Sequence, residues 1–134
     1  MVICGNPQLI DWTPDFSSSG QRSPEWTEVR CNGERLTNAL NWVEWDENPV
    51  QVQLCEECGV TGCAVGGYVH VSRDDDFVLW TAPQVDPDDE FASHQHAPSE
   101  FILRHGAVAI PIDIWEQWRE RFNVPAADAF PRGL

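Results

Sequence analysis

Hydrophobic and polar positions alternate in short runs along much of this chain, and a period of two predicts a mostly antiparallel sheet. The clearest run is Trp26-Thr27-Glu28-Val29-Arg30-Cys31, followed by Asn32-Gly33 and then Glu34-Arg35-Leu36. Asn-Gly between alternating runs signals a two-residue hairpin, because both central positions need positive φ. Thr27, Val29 and Cys31 share the face expected to meet the core, opposite Trp26, Glu28 and Arg30. Val50-Gln51-Val52-Gln53-Leu54 alternates strictly, with Val50, Val52 and Leu54 on one face. Tyr68 to Arg73 and Phe77 to Thr81 read as further strands, joined at the Asp74-Asp75-Asp76 turn and stopped at Pro83. Residues 50 to 81 are thus expected to form an antiparallel meander with a cysteine turn at one end.

Around this meander the pattern is more varied. Residues 1–24 read as an irregular N-terminal segment in which Gln8 to Trp12 suits a short strand. Residues 38–45 suit either a helical turn or a strand, and Asn48-Pro49 marks a turn. Residues 83–98 form an acidic loop containing Asp86-Pro87-Asp88-Asp89-Glu90 and His94-Gln95-His96. Glu100 to Arg104 and Ala107 to Ile110 are expected as strands flanking His105-Gly106. The period then changes: Ile114, Trp115, Trp118 and Phe122 form one helical stripe, with Glu116, Arg119, Glu120 and Arg121 toward water. Asp113 and Glu116 have capping-box spacing, and Pro125 ends the helix. Residues 123–134 read as a surface tail. The expectation is one α+β domain over residues 1–134, mainly an antiparallel meander with one C-terminal amphipathic helix.

Composition supports a folded core and restricts the partners. Of the 134 residues 42% are apolar, and seven Trp and six Phe supply large rigid rings for an interior. Eight basic residues, all arginine, oppose 22 acidic ones, for a net charge of −14. Such a surface is repelled by nucleic-acid phosphates and by anionic lipid, and is drawn to a basic protein. The plainer account of the acidity is solubility, or a GC-rich or salt-adapted host. Neither a basic, apolar leader nor a run of about 18 apolar residues is visible, so the chain is expected in the cytoplasm. Five cysteines without an export signal then read as reduced thiols.

The most specific chemistry lies in Cys55-Glu56-Glu57-Cys58-Gly59-Val60-Thr61-Gly62-Cys63. Two residues between thiolates let Cys55 and Cys58 converge on one ion, and Gly59 lets the turn curl so that its amides face the sulfurs. Cys63 offers a third ligand for zinc. A closed structural site needs a fourth, for which Cys31 or His70 is a candidate, and His94 with His96 forms a second, weaker pair of ligands. A redox role would require a helix after Cys58, which the glycines oppose. An iron–sulfur cluster would have to recruit Cys4 and Cys31. The acidic turns lack the spacing of a calcium loop, and no phosphate loop, dinucleotide fingerprint or nucleophile elbow is present.

Over residues 54–82, the Cys58-Gly59-Val60-Thr61-Gly62-Cys63 turn leading into Val78-Leu79-Trp80 resembles small uncharacterised bacterial proteins. In those, a Cys-Gly-x-x-Gly-Cys turn precedes a strand, an acidic turn and a strand ending Val-x-Trp. The resemblance implies the meander and a bacterial source, with no activity to carry over. Three functional readings stand together. The first is an acidic binding protein, such as an inhibitor or immunity-type partner of a basic protein. The second is a zinc-stapled structural domain. The third is an enzyme that uses the cysteine turn with a histidine such as His70.

Overall fold

The structure is a computed structural model that describes residues 1–14, 25–84, 88–89 and 95–133. Two sheets make up the α+β fold. The smaller is antiparallel: β2 (Gln8–Trp12), β3 (Trp26–Cys31) and β4 (Glu34–Thr37), with β3 in the centre. Asn32 and Gly33 take φ of 55° and 81°, the hairpin turn expected between β3 and β4. The larger sheet runs β1 (Val2–Ile3), β8 (Ala107–Pro111), β7 (Phe77–Thr81), β6 (Tyr68–Arg73), β5 (Val50–Gln51). Only the β1–β8 pair is parallel. Two helices complete the described elements, α1 (Glu100–His105) and α2 (Ile112–Arg121), with a 3₁₀ turn at Ala127–Ala129.

Four expectations are corrected. Glu100 to Arg104 is helix α1, not strand. Phe101 and Ile102 are adjacent and both buried while Leu103 is exposed, which suits a helical turn and not an alternating strand. Ser99 caps it, its Oγ accepting the Ile102 amide, and Gly106 closes it at φ 81°. The capping box at Asp113 and Glu116 does not form, because β8 runs directly into α2 and Pro111 occupies the cap position. There the Ile112 amide donates to the Asp76 carbonyl, and Glu116 pairs with Arg119 at 3.1 Å. The C-terminal segment is not a surface tail: Val124, Ala127 and Phe130 are buried. Its backbone also pairs with β6, Arg73 donating to Pro131 and Gly133 donating back to Arg73. Finally, the β3 face opposite the expected one is largely buried too, at Trp26 and Glu28, while Arg30 stays half-exposed.

The main core lies between the sheets and α2. Trp45 is its aromatic centre, with ring centroids 5.8 Å from Trp80 and 5.1 Å from Trp115. Trp12, Trp26, Ala39 and Leu54 form a second, smaller cluster on the other face of β3. Segment 52–54 ties the two sheets together. Thr37 Oγ1 donates to the Val52 carbonyl at 2.6 Å, and the Asn38 amide both donates to Leu54 O and accepts from Leu54 N. That anchorage ends one residue before Cys55.

Candidate metal centre

The 55–63 loop leaves this anchored segment and returns to it. Gly59 N donates to Cys55 O at 2.7 Å, closing the first turn, and Cys63 N donates to Val60 O at 3.2 Å, closing the second. Gly59 and Gly62 take φ of 70° and 86°, which lets the backbone reverse twice within nine residues. The result brings Cys55, Cys58 and Cys63 together, their sulfurs all within 4.8 Å of one another. Cys55 is half-buried, and Cys58 and Cys63 are exposed.

Gln51 holds the loop from beneath. It is 1% exposed, and its side-chain amide accepts from Gly62 N at 2.7 Å while donating to Ala64 O and Gly66 O. Gln95 adds a second clamp, its Nε2 donating to Gly62 O and its carbonyl accepting from Gly66 N. Arg35 reaches across from β4 to Glu56 at 2.9 Å. Strict alternation assigns Gln51 to the polar face of a half-exposed strand, which hides this role in the sequence. Its one visible signal is its place within a few residues of the first cysteine.

The electrostatics of the three sulfurs are unequal. Backbone amides of Glu57 and Cys58 point at Cys55, and against some burial they hold its thiol below the ordinary value of 9.0. Hydrogen bonds from Cys58 and Cys55, followed by their charge, push Cys63 up to about 11. Cys55 therefore gives up its proton more easily than Cys63 in the absence of an ion. A divalent cation reverses that balance by stabilising all the thiolates at once. Zinc–thiolate bonds of about 2.3 Å place tetrahedral sulfurs about 3.8 Å apart, so a triad already within 4.8 Å needs little closure. The donor set fits a soft metal ion.

The proposed fourth ligands lie elsewhere. Cys31 is buried against Cys4, where burial and then the Cys31 thiol push Cys4 far above the ordinary value. Both are free thiols. His70 sits on β6 opposite Thr81 and lines a separate groove. The His96 ring packs edge-on against Tyr68 at 4.8 Å. His94, and Asp86, Pro87 and Glu90 of the acidic run, lie outside the described residues. Among the described residues, Cys55, Cys58 and Cys63 are the group with metal-holding geometry. His105, expected as a simple turn residue, ends α1 and pairs with Glu34. No known protein family, curated protein or solved structure matches this chain significantly. Among the described residues no helix is long and apolar enough to cross a membrane.

Proposed function

We propose that this chain is a zinc-stapled interaction protein, in which Cys55, Cys58 and Cys63 hold the ion and the acidic surface engages a basic partner protein. The observation that carries the zinc reading is the convergence of three sulfurs within 4.8 Å, with backbone amides directed at one of them. Thiolates favour zinc over magnesium or calcium, and the curled turn directs backbone N–H donors at a sulfur, as such a site uses. The net charge of −14 supports the basic partner, because a concentrated acidic field speeds and orients association with positive surfaces. The exposure of Cys58 and Cys63 favours one further reading, in which the fourth metal position opens to solvent and activates a bound water.

Metal analysis of the protein purified under reducing conditions tests the zinc reading, with thiols counted before and after chelation. The expected result is about one zinc per chain, a stoichiometry set by one three-thiolate site. Chelation should then unmask three of the five thiols, leaving Cys4 and Cys31 silent until the protein is denatured. Metal-free protein with all three loop thiols reacting at once would overturn it.

A further inference from the structure

A second concavity, of about 910 Å³, lies between residues 41–50 and 123–131 and shares no lining residue with the cysteine loop. Its apolar part is aromatic, with Trp45 and Phe130 each 8% exposed and Trp42 50% exposed. Trp42 is not loose despite that exposure. Its indole Nε1 donates to Glu25 O at 3.1 Å, and the neighbouring Asn41 Nδ2 donates to the same carbonyl at 2.9 Å. A large ring is thus fixed in place with half its surface facing water, the opposite of what burial would give a core tryptophan.

The charged side chains of the groove are Glu44, Asp46, Glu47 and His70, with no arginine among them. The three carboxylates are exposed, and among the described residues none forms an ion pair. Their field also reaches inward: burial, followed by the Glu47 charge, raises the Tyr68 hydroxyl above its ordinary value. An aromatic face beside unpaired carboxylates complements a cation with a flat, weakly hydrated head. Arginine has that head, with N–H donors to share among several carboxylates, and a stem that covers apolar surface.

We propose that this groove seats an arginine side chain of a basic partner protein, its guanidinium stacked on Trp42 and held by Glu44, Asp46 and Glu47. This rests on the basic-partner reading above and is independent of the zinc site. The test is fluorescence anisotropy of a labelled peptide of alternating glycine and arginine, titrated with the full chain at low ionic strength. Trp42→Ala, and separately the pair Glu44→Gln/Glu47→Gln, should each weaken binding by about tenfold. The pair Asp113→Asn/Glu120→Gln, which removes the same charge from α2, should change it by less than about twofold. Circular dichroism checks that Trp42→Ala folds, and the exposed glutamate pair carries the test if it does not. Equal weakening by both charge-removing pairs would overturn the groove while leaving the basic-partner reading in place. No binding by the unaltered chain would overturn both.

Discussion

A glutamine with only 1% of its surface exposed is stable inside a protein when its amide oxygen and nitrogen both find partners. Gln51 finds three, all on the strip of backbone that returns the cysteine loop to the sheet. Gln51→Ala would strand the Gly62 amide and two carbonyls and leave a cavity where the side chain was. The expected cost is about 3 kcal/mol, read from the midpoint of urea unfolding. In protein loaded with zinc, the same change should speed alkylation of Cys58 and Cys63, because the loop that presents them keeps only the Gln95 clamp. Nothing in the alternation of Val50 to Leu54 announces this role. Val50, Val52 and Leu54 are buried as the period requires, but only Val50 and Gln51 lie in the strand. The chain then bends, with Val52 N and Gln53 N both donating to Gly67 O. That bend, a contact with a residue 14 or 15 positions away, is what turns Gln51 inward.

At the scale of elements, legibility followed locality. The β3–β4 hairpin was visible because Asn32-Gly33 writes its own geometry, and the α2 stripe because Trp115 and Trp118 recur at helical spacing. Helix α1 was misread because Phe101-Ile102-Leu103 is too short a run to separate the two periods. What decides it stands just outside, in Ser99 and Gly106. Ser99→Ala should therefore lower stability by about 1 kcal/mol in thermal unfolding. The paired thiols Cys4 and Cys31 were illegible for a different reason. They meet because β1, two residues long, joins β8 from the far end of the chain, a pairing that carries no local signal. The same holds for the burial of Val124 and Phe130 after Pro125.

For the molecule as a whole, Arg30, Arg35, Arg104, Arg119 and Arg132 pair with particular carboxylates among the described residues, and most of the acidity is left uncompensated. Glu28 is the buried exception. Burial alone would push its carboxyl up, but hydrogen bonds from Arg35 and then Arg30 outweigh it and hold the group below its ordinary value of 4.5. A carboxyl depressed in the folded state stabilises the protein above its unfolded pKa and loses that contribution as pH falls through the folded one. Protonation of the many exposed carboxylates works the other way, by relieving repulsion within a chain of net charge −14. The Glu28 part is isolated by comparison: Glu28→Gln should be less stable than the unaltered chain at pH 7, and the gap should close as pH falls below the ordinary value of 4.5. Urea unfolding across that range reads it, and a gap independent of pH would show that the ion pairs contribute nothing.

The way β6 is enclosed bears on the behaviour of many molecules together. Its flank toward β5 is covered in two instalments, by Val50 and Gln51 against Val69 and Tyr68, then by Pro131 to Gly133 against Arg73. Its opposite flank is completed the same way, by Ala97 to Ser99 at Tyr68 and by β7 beyond. A bare strand flank such as Tyr68-Val69-His70-Val71 would recruit the matching strand of another copy. Here that polymerisation is blocked by fragments drawn from distant parts of the same chain, so each copy polices its own edge. Lifting Pro131 to Gly133 from Arg73 would bare that flank and open it to pairing with another copy.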